Sequence, residues 1–412
     1  MLPSSSNTST EPISTPTGSD FHIRDVHWAD AVEIPFNKLP SITLSYLEKG
    51  RKLSSESRRH MVRVVVDGLR EVNSNISTAQ LRSIAKRIVK KYPILQDELD
   101  GQLIGTGYEG LVNQLVNRND NSNRGKSPFG KKKKLNTEDE VDTPKSLAKK
   151  DVYGCTNFHP AIGDIDAIEE LRIELLDISK EVAINWSAIE EKFKKSYPLQ
   201  RKEINAGVPV NELLSRWPTL FMAEGIVLHF TQLTAINLIS AFDDFMTRKG
   251  ERLIAFFRNV LKDDLKSRSP ATEIILSCMR FMKESNDQQF FMVDETTTAR
   301  EVEKHRSDSP CIAVLGTSPE DATEFMIVID NVVTTTTNSF KKAFTLYFGL
   351  YYVLNIEYPI QLSGILEFVQ RCFVGINPDG CKAAKSSKRK KSAVNTNVLR
   401  LITELTHYEW TE

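Results

Sequence analysis

The chain has 412 residues, with 54 Lys and Arg against 54 Asp and Glu. No net field therefore draws it to nucleic acid or a membrane, and any electrostatic function has to reside in local patches. Five scattered cysteines, with no CxxC pair and no even framework, exclude a disulfide scaffold and read as reduced intracellular thiols. The N-terminus lacks the basic and apolar blocks of a signal peptide. The most apolar run, Ala343 to Ile356, falls short of the roughly 20 residues a membrane span needs. A soluble intracellular protein with no membrane partner is expected.

Residues 1–20 are rich in Ser, Thr and Pro without periodic apolar positions; they cannot offset the entropy of ordering, which predicts a disordered tail. Residues 21–122 read as a small basic helical module. Met61, Val62, Val65 and Leu69 recur at helical spacing, with Ser57 as a candidate cap. Leu81, Ile84, Ala85, Ile88 and Val89 do the same behind Ser77 or Thr78, and Tyr92-Pro93 stops the helix. Tyr108, Leu111, Val112, Leu115 and Val116 mark a third helix. Residues 123–150 carry alternating charge blocks and almost no apolar side chains, the composition of a disordered linker.

The region 151–284 is helical again. Ile168, Leu171, Leu175 and Ile178 share one face; Trp186, Ile189 and Phe193 share another that should end near Pro198. "VPVNELLSRWPTLF" should break at Pro218. Leu238, Ile239, Phe242, Phe245 and Met246 form a further face, and Gly250 is expected to separate it from Leu253, Ile254, Phe257, Val260 and Leu261. From 285 to 412 the pattern changes. "QFFMV", "CIAVLG" and "FMIVIDNVV" are short, β-branched and bounded by turn residues, and read as three strands. Two helices follow, around Phe340 to Asn355 and Ile360 to Phe373, with the first as a buried core helix. A basic loop at 380–396 and a terminal helix from Asn397 to Trp410 close the chain. The expected fold is mainly α: an N-terminal helical module, a disordered linker, and a C-terminal α+β domain with a small antiparallel sheet.

Several motifs in one order, "YGCTNFHP", "RWPTLF", "CIAVLG" with "FMIVID", "YYVLNIEYP" and "ILEFVQRCFVGINPDG", resemble the sterile alpha motif domain-containing protein 3-like family of vertebrates. The resemblance runs from about Trp28 to Trp410 and also takes in "KKYPILQD" and "IGTGYEGLVNQLVNR". It implies a domain layout and carries over no catalytic residues. Too few residues precede Trp28 for a sterile alpha motif bundle, so that domain itself is expected to be missing.

Cys155 and His159 would need a second ligand pair to hold zinc, and neither Cys372 with Cys381 nor His229 has suitable spacing. The expectation is no metal, with Tyr153, Phe158 and Pro160 packing an extended peptide onto the helices. Asp243, Asp244, Asp263, Asp264 and Asp330 are the carboxylates from which a nuclease-like metal cluster could be assembled, but adjacent helical positions diverge, which favours a solvated surface. Asp330 before Asn331 suits a turn. No phosphate loop, dinucleotide fingerprint or nucleophile elbow occurs, so no catalytic residue and no cofactor is assigned. His229 reads as a core or boundary histidine.

The basic features are more informative. Arg82, Lys86, Arg87 and Lys90 lie opposite the apolar stripe of their helix, and Arg58, Arg59 and Arg63 sit on the one before. Together they are candidate contacts for nucleic acid backbone or an acidic partner, without the means to read bases. Lys131, Lys132, Lys133 and Lys134 form one compact basic run, and Lys388, Arg389, Lys390 and Lys391 another; both suit importin recognition. The composite expectation is a non-enzymatic interaction protein, in the nucleus in preference to the cytoplasm. Its larger domain would present a groove to an unidentified protein. The rival is a degenerate or domesticated mobile-element enzyme using the carboxylates.

Overall fold

The computed structural model describes residues 28–99, 101–123, 160–262, 269–284, 289–305, 307, 309–378 and 394–408. The expected tail, all but the margins of the linker and of the basic loop, Cys155, His159, Asp263, Asp264 and both basic runs lie outside them. The chain divides into two compact units, one of 1–97 with 107–132 and one of 98–106 with 133–412.

In the first unit, α1 (Ser41–Glu48), α2 (Ser55–Val72), α3 (Thr78–Lys91) and α4 (Glu109–Asn123) surround one apolar core. The helix α4 packs on both α2 and α3. Met61, Val65, Val66, Leu69, Ile84, Ala85, Ile88, Leu111 and Leu115 are fully buried, which is the helical-period stripe of each element turned inward. The cap of α2 is Ser54, whose Oγ accepts from the Ser57 N–H at 3.1 Å; Ser57, the expected cap, lies in the first turn because the helix starts earlier. Ser77 and Gln80 close a reciprocal capping box at the start of α3. Fully buried Leu-to-Ala truncations here would cost about 2–5 kcal/mol.

The second unit opens with the hairpin β1 (Glu98–Leu99) and β2 (Gln102–Leu103). Its helices are α5 (Ile165–Ile178), α6 (Trp186–Ala206), α7 (Val210–Arg216), α8 (Ala223–Thr234), α9 (Leu238–Leu261) and α10 (Pro270–Met282). Two expected breaks are absent. The helix α6 runs through Pro198, which lacks one backbone donor, because Phe193, Tyr197, Leu199, Gln200, Arg201 and Ile204 are buried on both sides of it. Likewise α9 is continuous through Gly250, with Phe245 and Leu253 buried in either direction. In both, tertiary burial outweighs local propensity. The break at Pro218 is present, as a short 3-10 turn over Pro218–Phe221. Gly225 of α8 presses on the Thr219 carbonyl, where any Cβ would collide with backbone.

The sheet has the order β3–β4–β5–β6, formed by Phe290–Val293, Cys311–Leu315, Glu324–Ile329 and Val332–Thr337. It is mixed, not antiparallel, since β3 pairs parallel with β4 while the other pairs are antiparallel. The connection from β3 to β4 includes the helical turn α11 (Ala299–Val302) and is long enough for a crossover, which a parallel neighbour requires. "FMIVIDNVV" is two strands. Asp330 and Asn331 adopt φ of 51° and 63°, the left-handed pair of a tight hairpin turn. Phe290, Ile312, Val314, Phe325, Ile327 and Ile329 face the main core. Phe291, Ala313, Leu315, Met326 and Val328 pack with Val302 on the other side. Burial on both faces explains why these strands read as continuous apolar runs.

Against the sheet lies α12 (Phe340–Val353), the expected core helix, buried from Ala343 to Val353. Then come α13 (Ser363–Phe368), extended by a π turn over Val369–Phe373, and α14 (Thr396–His407). Among the described residues no single helix is long and apolar enough to cross a membrane.

Candidate functional site

The predicted cations of the first unit separate into two groups. Arg58 is buried, donates from Nε to Gln114 Oε1 at 3.1 Å, and has its pKa lowered by desolvation despite the opposing pull of Asp97. Arg82 pairs with Glu109, whose side chain is fully buried. Arg87 donates to the Ala29 and Val32 carbonyls at 2.7 and 2.8 Å. These three hold the unit together. Arg59 and Arg63 on α2, and Lys86 and Lys90 on α3, are exposed and form no ion pair among the described residues. Each pair is spaced i, i+4, so its two charges share one helix face. Helix periodicity alone could not separate the groups, because the partners of Arg58, Arg82 and Arg87 are distant in sequence.

The carboxylates do not converge. Among the described residues no group of three or more His, Cys, Asp or Glu is placed to hold a metal ion. Asp243 pairs with Lys341, Asp244 is exposed, and Asp330 occupies its hairpin turn. His229 is fully buried, with Nδ1 2.8 Å from Gln200 Oε1. Burial, with the charge of Arg201 added, pushes its pKa well down, so it is a neutral core residue as expected. Cys278, Cys311 and Cys372 are buried and in no disulfide. Desolvation raises the Cys278 thiol and pushes Cys311 up to about 11, which leaves both as unreactive thiols at neutral pH.

The second unit carries an open groove of about 720 Å³, within the range of ligand-sized sites. Its apolar floor comes from Trp186 of α6, Ala223, Val227 and Leu228 of α8, and Ile239 and Phe242 of α9. Its rim is polar, with Glu190, Glu224, Asn237, Ser240, Ser339, Lys341 and Lys342. All four contributing helices present their first turns. Asn185 caps α6 by accepting from the Ala188 N–H at 3.3 Å. Asn237 caps α9 at the Ser240 N–H at 3.0 Å, and Ser339 caps α12 at the Lys342 N–H at 3.2 Å. The fourth, α8, follows Met222, which provides no side-chain cap, and meets α9 at 88°. Glu190 is held by Lys194 at 2.7 Å and Lys341 by Asp243. Glu224 and Lys342 are exposed and form no ion pair among the described residues.

A polar clamp joins α5, α6 and α7. Arg216 of α7 reaches Glu169 of α5 at 2.9 Å and Glu203 of α6 at 2.7 Å. Trp217 donates from Nε1 to the second Glu203 oxygen, also at 2.7 Å. Three helices are tied through one guanidinium and one indole, which anchors the C-terminal part of α6 to α5 and α7. Arg201 does comparable work at the far end of α12, donating to the Val353 carbonyl at 2.6 Å.

Residues 168–222 match the family model for the sterile alpha motif domain-containing protein 3 helical domain. Over this segment the chain is similar to the sterile alpha motif domain-containing protein 3 helical domain. The match runs from Ile168 in α5 through α6 and α7 to Met222, the residue before α8, so it includes the whole clamp and the Trp186 wall of the groove. No curated protein and no solved structure matches the chain. The groove was only partly visible in the sequence. Trp186 and Phe242 stood out as apolar positions, and Asn185, Asn237 and Ser339 precede apolar runs as helix caps do, but nothing local indicated that the capped ends meet.

Proposed function

We propose that this protein is a non-enzymatic interaction protein whose second unit receives a segment of a protein partner in the groove between α6, α8, α9 and α12. The observation that carries the reading is the groove itself: an open site of about 720 Å³ with an aromatic and aliphatic floor and a polar rim. An apolar anchor surrounded by polar contacts is the usual composition of a docking site. The exposed cations Arg59, Arg63, Lys86 and Lys90 form a second, weaker contact for a polyanion such as nucleic acid backbone. The basic runs Lys131–Lys134 and Lys388–Lys391 support action in the nucleus. The carboxylate enzyme reading has less support, since its described members stand apart.

The test is proximity labelling of the full chain in cells, comparing wild type with Ser240→Trp, which fills the groove from an exposed position. Wild type should label a discrete set of proteins that the filled variant loses. An unchanged set would overturn the groove as the interaction site. The polyanion contact is checked separately by replacing Arg59, Arg63, Lys86 and Lys90 with Gln in the full chain. Duplex DNA binding should be weak, steeply salt-dependent, and reduced with a shallower salt slope in the variant.

A further inference from the structure

Beyond its apolar floor, the groove has an electrostatic asymmetry that selects among partners. The formal charges on its lining cancel, two lysines against two glutamates. Glu190 and Lys341 are already engaged by Lys194 and Asp243. What remains is Lys342, in the first turn of α12, and Glu224, in the first turn of α8.

These two charges are not equivalent. A carboxylate in a first helical turn is favoured by the dipole, so Glu224 stabilises α8 where it stands. A lysine in a first turn opposes the dipole, and α12 carries two, Lys341 and Lys342. Lys341 is compensated by Asp243, whereas Lys342 has no such partner among the described residues. Added to it are the N-terminal ends of α6, α9 and α12, each partly positive even with its neutral side-chain cap, while that of α8 is offset by Glu224. The balance at the rim is positive, while the floor is apolar.

We infer that the groove takes a partner segment in which one or two large apolar side chains are followed or preceded closely by an acidic residue, the apolar part seated on Trp186, Val227, Leu228 and Ile239 and the carboxylate placed against Lys342. This rests on the groove being the interaction site, and it names the chemistry of what enters. Lys342 is a specificity residue here. It rewards an acid and repels a base, while the apolar floor supplies affinity to either.

The test is selection from a random dodecapeptide phage library against the immobilised full chain, with Ser240→Trp and Lys342→Glu as counter-targets. Lys342→Glu places an acid at a helix start, where it favours the fold, so lost binding does not report unfolding; melting curves check both variants. The expected result is enrichment of peptides pairing Asp or Glu with Leu, Phe or Trp. Synthetic copies should bind about tenfold more weakly to Lys342→Glu and not measurably to Ser240→Trp. Peptides lost on Ser240→Trp but without acidic preference, or indifferent to Lys342→Glu, would overturn the acidic assignment and leave the groove reading standing. No enrichment sensitive to Ser240→Trp would overturn both. One further outcome reassigns the occupant. If enrichment emerges only after Glu138, Asp139, Glu140 and Asp142 are replaced by Ser, the groove serves an acidic segment of the same chain and not a partner.

Discussion

Arg87 binds the carbonyl oxygens of Ala29 and Val32 at once, from a single guanidinium nitrogen, and Lys86 beside it binds nothing among the described residues. Adjacent cations on α3 thus have different work. Arg87→Gln should destabilise the protein by about 1–3 kcal/mol, because two carbonyls lose a charged donor. Lys86→Gln should change stability by less than about 0.5 kcal/mol. Thermal melting of the two single variants checks the contrast; equal melting temperatures would show that Arg87 is dispensable.

Glu203 is the common acceptor of Arg216 and Trp217. Glu203→Ala should cost about 2–4 kcal/mol, from a stranded indole N–H and a guanidinium left with one carboxylate. Glu203→Gln should recover part of that loss, because its amide oxygen still accepts one hydrogen bond. Denaturant unfolding of the full chain, followed by tryptophan fluorescence, separates the two.

Glu284 gives a pH dependence. Its carboxylate accepts from the Gly364 and Ile365 N–H groups at 2.6 and 3.0 Å, yet desolvation outweighs these bonds and pushes its pKa up to about 7. The raised value means that the folded state holds the proton more tightly than the unfolded state. The stability this group contributes is therefore present below the ordinary carboxylate range and is lost as pH rises through about 7. Between pH 5 and 8 the melting temperature of wild type should fall relative to that of Glu284→Gln, which carries no titrating group. Parallel curves over that interval would contradict this.

For localisation, a fluorescent fusion of the full chain should concentrate in the nucleus. It should redistribute to the cytoplasm when Lys131–Lys134 and Lys388–Lys391 are both replaced by Ser. Imaging of the double replacement decides it.

Much of the fold was legible because its signals are local. The apolar stripes of α2 and α3 follow from short-range periodicity, and the strands β3 to β5 show as short apolar runs bounded by turn residues. Caps and breaks did so less evenly. The capping box at Ser77 and the stop at Pro218 were readable, while Pro198 and Gly250 misled because the burial that carries helices through them is contributed by distant elements. The parallel β3–β4 pair was missed for the same reason, since sequence proximity of strands says nothing of direction once a crossover intervenes. At the candidate site the residue types were visible and their convergence was not. Four first turns meet around one cavity only after the whole second unit has assembled.

The mixed sheet also sets an order of assembly. The β4–β5 and β5–β6 pairs close through short loops, so the loop entropy lost in forming them is small. The β3–β4 pair closes the longer connection through α11 and is expected to form after the two hairpin pairs. Met292 on that strand is 47% exposed, and among the described residues the outer edge of β3 has no neighbouring strand. The strand that arrives last is also the one most easily released. Native-state hydrogen exchange should find the β3 amides opening at lower free energy than those of β4 and β5. The sheet would then peel from one side while the remaining three strands stay folded against α12.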